Sequence, residues 1–446
     1  MKKTRVLISL FLVISMILAF AACGTPASSP SAADTTPASS PTPTLSDTPA
    51  PSETPDAAPV TITICQAYQA PQNAVIDEAI KEFNVQYPNI TVVNDNEANA
   101  GDYYTVLNTK LQSDTPPDIF FGWPGSSMIP YLSAGYAMDL SDQPWVSDIL
   151  PGCINEVAYQ GKVMSFPTQL SFMALGYNQQ VLDQLGGVLP TTYDEMTALF
   201  DKALATGILP MASGSDLYYL FSVGAVTDIY AKNPNFDQDV NSGKITLDGS
   251  PDWVNLLQHI YVDWVDKGYI PKDALGIDRS TTMMTEFVSG KALFFPMGSW
   301  DLPGILAIAP SDFQMGIIPY PGATADQAGV LVATNDCLSV NAQSPNKDAA
   351  LLFLNWFAGK DINKQFCEAG QSLSSYKDVT PDINPFLQSF IPYVAKDPSH
   401  PFVNTGWPSQ LMNDFKDLTD AIVLKSSTPQ EVAKQMQDEW MANLDS

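Results

Sequence analysis

The sequence predicts an α/β protein folded as two lobes behind an exported leader. Three observations lead there: strand-like and helix-like segments alternate along the chain, its length exceeds what one core serves, and a charged-then-apolar N-terminus precedes a Pro-rich tract. With 446 residues, 45% of them hydrophobic, the chain passes the size of about 250–300 residues at which single cores stop growing.

Val60-Thr-Ile-Thr-Ile-Cys65 alternates β-branched residues and reads as a strand. Ile76, Ile80, Phe83 and Tyr87 recur at helical spacing. Pro88 breaks that helix, and Ile90–Val93 is a second strand. Tyr103–Gln112 is a further helix, and the apolar Asp118–Phe121 follows Pro116-Pro117 as a short strand. Such alternation implies a mostly parallel sheet with helices on its faces. Further on, Thr192 and Glu195 have the spacing of a capping box, as do Thr428 and Glu431. Pro251 marks a first helical turn, with Leu257, Ile260, Tyr261 and Trp264 forming the apolar stripe. Asn346–Gly359 is another apolar helix.

The leader is read as a targeting segment outside the fold. Lys2, Lys3 and Arg5 form a positive n-region, and Val6–Ala22 is an apolar run with no charged stop-transfer flank. Phe20-Ala-Ala-Cys23-Gly24 resembles a bacterial lipobox, departing from it by Phe where Leu is usual. The resemblance implies cleavage after residue 22 and lipid on Cys23. Residues 23–59 then form a spacer of Pro, Ser, Thr and Ala, too polar to offset the entropy of ordering. A diacylated cysteine anchors stably where one chain does not. The net charge of −27 becomes −30 when Lys2, Lys3 and Arg5 leave with the leader. No basic footprint for nucleic acid is present. Cys65, Cys153, Cys337 and Cys367 show no metal-ligand spacing, and both disulfides and buried thiols stay open.

The histidine supply argues against catalysis. His259 sits within a helix and His400 in a loop, too few for a zinc site or a Ser-His-Asp triad. No phosphate- or nucleotide-binding glycine motif appears. The sequence implies no cofactor and no metal.

Several segments, in order, resemble the extracellular solute-binding proteins of ABC importers, family 1, which includes the maltose-binding proteins. They are Pro117-Asp-Ile-Phe-Phe-Gly122, Tyr159-Gln-Gly-Lys-Val-Met-Ser-Phe-Pro167 with Gly176-Tyr-Asn178, and Phe287-Val-Ser-Gly-Lys-Ala-Leu-Phe-Phe-Pro-Met-Gly-Ser-Trp300. Gly316–Gly322 and Ser339–Ala350 follow in the family's order. The resemblance implies a periplasmic-binding-protein-like fold: two lobes, a hinge and a ligand cleft between them. Lobe one is placed at 60–165 and 292–335, lobe two at 166–291 and 336–446. It implies a non-enzymatic receptor, tethered as a monomer to the extracellular face of a Gram-positive-type membrane, that hands a sugar to the permease subunits of an ABC importer. A polyamine or other non-sugar solute, or an exported carbohydrate-active enzyme, is the alternative.

A sugar presents C–H faces to aromatic rings and hydroxyls to polar side chains. Candidate contacts are therefore aromatics and polar groups in loops after strands. Tyr68 and Gln69, with Gln66, follow the first strand, and Trp123 follows the strand at Asp118. Gln169 lies past the crossover, and Trp300 and Asp301 follow the Gly298-Ser299 turn. Asp336 with Asn335 stands at a lobe return, and Trp407 sits in Asn404-Thr-Gly-Trp-Pro408. Tyr218 and Tyr219 are assigned to core packing, as are Trp253, Trp264 and Trp356 in helices, and Asp118 to its strand end.

Overall fold

The computed structural model describes residues 58–97, 103–388, 390–394 and 399–444. The leader, Cys23 and the spacer up to residue 57 lie outside the described residues.

The first strand is Val60–Gln66, flanked in parallel by Ile90–Asn96 and by Ile119–Gly122, with Val60 opposite Ile90 and Ile64 opposite Ile119. Ala70–Gln86 is the crossover helix of this unit, with Pro71 in its first turn and Ile76, Ile80 and Phe83 buried. Beyond these strands the sheet is not the mostly parallel one expected. Val330–Val340 runs antiparallel to Ile119–Gly122 and to Phe166–Asn178. Phe166–Asn178 in turn pairs antiparallel with Ala292–Gly298 and Met315–Ile318, and Leu209–Met211 joins Ala292–Gly298 in parallel. The reversal has a simple origin: a chain that leaves one lobe along a strand and returns beside it must run the opposite way.

Those two long strands join separate hydrophobic cores. Phe166, Cys337, Leu338 and Val340 pack with Ile62, Phe83, Phe120 and Phe353. Farther along the same strands, Met173, Leu175 and Leu331 pack with Phe200, Trp253 and Phe294. Phe172, Ala174 and Val330 enter a third cluster with Phe287, Phe295 and Ile305. Met173 and Leu175 thus face one side of the sheet, and Phe172 and Ala174 the other, as the two-residue strand period requires.

The cores apportion the chain differently from the expected lobe boundaries. Residues 292–331 pack with lobe two, because Ala292–Gly298 pairs with the distal half of Phe166–Asn178. Residues 337–376 pack with lobe one, because Lys347–Phe357 and Lys360–Gly370 bury Phe353, Phe357 and Phe366 in its core.

Local chemistry follows the sequence where it is local. Thr192 with Glu195 and Thr428 with Glu431 both close reciprocal capping boxes. The Pro251 helix is interrupted by a wider turn at His259–Asp263. His400 pairs as part of a short strand, Ser399–His400, beside Val330 and Leu331, rather than lying in a loop. The four cysteines are free and buried, and burial pushes the Cys65 thiol up to about 11. Among the described residues no helix is long and apolar enough to cross a membrane.

Candidate functional site

A cavity of about 670 Å³ lies where the two long strands pass between the cores. That volume falls inside the range of about 300–1,000 Å³ usual for small-ligand sites. Its walls come from three places. Tyr68, Gln69, Gln72, Phe121 and Trp123 belong to the first-lobe segments. Asp216, Tyr218, Tyr219, Trp300, Phe402 and Met412 belong to the second. Gln169, Ser171, Thr334, Asn335 and Asp336 form the floor, on the crossing strands themselves.

The first-lobe wall stands at the C-terminal ends of parallel strands, the usual place for ligands in α/β sheets. Tyr68 is buried edge-on between Phe121 and Phe366, at centroid distances of 5.0 and 4.9 Å. Gln69 is exposed at the N-cap of Ala70–Gln86, and its side chain makes no capping bond. Trp123 stands edge-on to Phe121 at 4.9 Å, and its backbone N–H donates to the Tyr104 hydroxyl at 3.0 Å.

The floor is a closed hydrogen-bond network around one carboxylate. Asp336 Oδ1 accepts from the Tyr68 hydroxyl at 3.1 Å and from Thr168 Oγ1. Its Oδ2 accepts from Gln169 Nε2 at 2.8 Å and Asn335 Nδ2 at 3.0 Å. Burial pushes the Asp336 carboxyl upward, against the pull of these donors. Gln169 Oε1 accepts in turn from Gln72 Nε2 at 2.8 Å and from Ser372 Oγ at 2.5 Å. The strand register slips on both sides of Asp336, between Thr334 and Asp336 and again before Cys337. Such an irregularity re-aims side chains out of the ladder.

In the second wall, Trp300 is half-buried and donates Nε1–H to the Tyr219 hydroxyl at 2.9 Å. Its indole folds back over Gly298, where a Cβ would stand 2.2 Å from two ring carbons. Only glycine leaves that space. Phe402 meets the Trp300 ring edge-on at 5.6 Å. Asp216 follows the strand Leu209–Met211; burial raises its carboxyl, with Arg279 opposing the rise. Across the mouth the lobes touch: Gly125 has φ 97°, and a Cβ there would lie 2.8 Å from Thr405 Cα.

Six of the eight expected contacts, Tyr68, Gln69, Trp123, Gln169, Trp300 and Asp336, come together around this cavity. Two do not. Asp301 is 8% exposed, and both its oxygens are taken by Arg279 at 3.1 and 2.6 Å, so none is left for a ligand hydroxyl. Trp407 is fully buried among Phe221, Trp253, Phe415 and Trp440, its Nε1–H donated to the Tyr230 hydroxyl at 3.2 Å. Tyr218 and Tyr219, assigned to the core, line the cavity instead. Asp216 was missed, although it sits in a polar loop after a strand, the same signal that found Tyr68 and Trp123. Trp253 and Trp264 are core as expected, and Asp118 ties Thr63 N–H to its carboxylate at 2.8 Å, a structural role.

No Lys, Arg or His lines the cavity among the described residues, and no cluster of His, Cys, Asp and Glu there could hold a metal ion.

Comparison with known proteins agrees with this architecture. The chain is 25% identical over 356 residues to the multiple sugar-binding protein of Streptococcus mutans, covering 77% of this chain and 81% of that one. It is 25% identical over 297 residues to the melibiose/raffinose/stachyose-binding protein MelE of Bacillus subtilis, covering 63% and 66% of the respective chains. The apo-form of RafE from Streptococcus pneumoniae superposes with a TM-score of 0.71 at 21% identity, covering 87% of this chain and 99% of that one. A sugar transporter from Bacillus licheniformis in complex with stachyose superposes with a TM-score of 0.71 at 19% identity, covering 86% and 99%. These likenesses establish a two-lobe solute-binding fold. Residues 78–398 match the bacterial extracellular solute-binding proteins, and the chain belongs to that family.

Proposed function

We propose that this protein captures a carbohydrate between its lobes outside the cell and delivers it to the permease of an ABC importer. The observation that carries the reading is the pairing of aromatic rings from both lobes, Trp123 on one side and Trp300 with Tyr219 on the other, over a polar floor without a cation. Rings take the C–H faces of a sugar, and the floor and Asp216 meet its hydroxyls. Because Trp300 donates to the Tyr219 oxygen, the phenolic proton is left to donate to a ligand. Relatives described as binding multiple sugars, or melibiose, raffinose and stachyose, support the same substrate class. The chain acts as a receptor and not as an enzyme in this reading: the one carboxylate of the floor is saturated with donors and stands ready for no proton transfer. Cys23 carries the lipid that tethers the monomer, and residues 23–59 space it from the membrane.

The test is a thermal-shift screen of glucose, maltose, raffinose, stachyose and spermidine, followed by small-angle scattering on the hit. A ligand that binds only the native state adds about 2.7 kcal/mol at a hundred times its Kd. A sugar hit with a smaller radius of gyration at saturation is expected. Stabilisation by spermidine alone would refute the carbohydrate reading.

A further inference from the structure

The crossing strand Val330–Val340 has Phe166–Asn178 along one edge, but its other edge is divided between the lobes. Cys337–Val340 pair there with Ile119–Gly122 of the first lobe, and Val330 and Leu331 pair with Ser399–His400 of the second. Between these partners, residues 332–336 have no strand on that edge among the described residues. An open edge leaves backbone N–H groups to be satisfied in another way. Here the Thr334 N–H is accepted by Glu156 Oε2 at 2.6 Å. Glu156 ends the short helix Pro151–Glu156, which the first lobe holds on both sides. Ahead of it the Leu150 N–H donates to the Ser375 carbonyl at 2.8 Å, and behind it the Val157 carbonyl accepts the Met164 N–H at 3.0 Å. The carboxylate borders a second cavity of about 310 Å³, lined by Met128, Ile129 and Leu132 from the first lobe and by Pro401 and Thr405 from the second. No Lys, Arg or His lines it among the described residues. Burial raises the Glu156 carboxyl, with Thr334 opposing the rise. A carboxylate without a cation beside apolar side chains is a poor way to stabilise a fold.

We infer that Glu156 is a positioning residue of the cavity floor: its carboxylate stands in for the missing strand at Thr334 and pins the register slip that presents Asn335 and Asp336. The inference rests on the proposed function and deepens it, by naming what holds the floor of that same site. Thr334, Asn335 and Asp336 are consecutive residues of the floor, and the slip falls between Thr334 and Asp336. Moving a strand by one residue turns its side chains to the opposite face. A slip that wandered would therefore take Asn335 away from its bond to Asp336 Oδ2, and Asp336 away from Tyr68 and Gln169. A hydrogen bond from an N–H to a charged acceptor is shorter and stronger than one between neutral groups, so a single side chain can hold the register where no neighbouring strand does.

The experiment compares the parent with Glu156→Gln and Glu156→Ala. Hydrogen exchange read by mass spectrometry follows residues 332–337, titration calorimetry gives sugar affinity, and urea unfolding gives stability. The sugar probe is whichever of glucose, maltose, raffinose and stachyose the parent binds best. Glu156→Ala should speed exchange across 332–337 and weaken sugar binding, each about tenfold, with the urea midpoint little changed. Glu156→Gln keeps an oxygen that can accept the Thr334 N–H, so exchange and affinity should stay within about threefold of the parent. A merely structural residue would lower the urea midpoint and leave the affinity of the folded fraction alone. Parent-like affinity or parent-like exchange in Glu156→Ala overturns the inference, as do equal losses in the two variants. Should Glu156→Ala not fold, fast exchange across 332–337 in the parent overturns it, and slow exchange there that Glu156→Gln preserves supports it. A parent that binds no sugar of the panel overturns the carbohydrate reading, while the exchange measurement, which needs no ligand, still decides whether Glu156 holds the strand.

Discussion

Trp407 and Trp300 both follow a Gly-containing turn, yet the structure gives them opposite jobs, and paired truncations separate these. Trp407 has no exposed surface and is ringed by Trp253 at 5.3 Å, Phe415 at 5.4 Å, Phe221 at 6.0 Å and Trp440 at 6.1 Å. Removing such an indole leaves a cavity among rings that cannot collapse, and Trp→Ala at buried sites costs about 3–5 kcal/mol. The lost Nε1–H adds little, because the Tyr230 hydroxyl keeps its bond to Asp237 at 2.8 Å. Trp407→Ala should therefore lower the unfolding free energy by about 3–5 kcal/mol while leaving ligand affinity in the folded fraction within about threefold. Trp300 is half-buried, stands perpendicular to the Phe402 ring and lines the cavity. Truncating a central aromatic anchor costs about 2 kcal/mol or more of binding, roughly thirty-fold in affinity. Urea unfolding followed by circular dichroism gives the first quantity, and titration calorimetry with the sugar found by screening gives the second. The reasoning fails if Trp407→Ala unfolds like the parent yet binds tenfold more weakly, or if Trp300→Ala binds as tightly as the parent.

Gly125→Ala forces a Cβ against the Thr405 backbone from a left-handed φ of 97°; sugar affinity should drop about tenfold with lobe stability little changed, as calorimetry and urea unfolding would report, and unaltered affinity would deny that the lobes meet there on binding. Burial lifts the Asp237 carboxyl to about 7. Because this folded-state value lies above the unfolded one, the native form holds its proton longer, so stability should fall as pH rises from the ordinary carboxylate range to about 7. Asp237→Asn should flatten that fall in urea midpoints taken between pH 5 and pH 8, and an equal slope in both proteins would remove Asp237 as its source. Cys23→Ala should release protein into the medium or leave an unprocessed precursor; a variant still processed and membrane-bound would end the lipid-anchor reading.

Much of the fold could be read from local signals. Capping boxes at Thr192 and Thr428 need only four residues, and the helix stripe of Ile76, Ile80 and Phe83 needs only a period. The long strands Phe166–Asn178 and Val330–Val340 were hidden because both faces are buried, which erases the alternation that marks a half-buried strand. The core clusters apportion 292–331 differently from the expected lobes for a related cause: which core receives that stretch depends on strand pairing, not on composition. In the site, the rule of polar and aromatic residues after strands brought Tyr68, Gln69 and Trp123 to the cavity wall, since the C-terminal ends of the parallel strands open onto it. The same kind of reading failed for Asp301, whose partner Arg279 lies 22 residues upstream on another element. It failed for Trp407 because a loop can turn its ring inward as readily as outward. Only the surrounding aromatics decide that, and they come from residues 221, 253, 415 and 440.

The position of Asp336 gives a physical reason why filling the cavity and closing the lobes belong to one event. A rotation of one lobe against the other would bend the two crossing strands, whose ladder is interrupted where register slips around Asp336. That slip leaves the carboxylate free of the ladder, and it is gripped by Tyr68 from the first-lobe wall and by Thr168 and Gln169 from the neighbouring strand. A ligand resting on Tyr68 and on the floor therefore touches groups whose arrangement changes when the strands bend. A solute can bias an equilibrium between open and closed forms only through such differential contact. A site lined by one lobe alone would bind without closing. A hinge remote from the cavity would close with little regard to what filled it. On the proposed reading, Gln169 and Asp336 stand both at the cavity floor and where the crossing strands lose register, so a solute resting there would meet groups whose arrangement a bend of those strands changes.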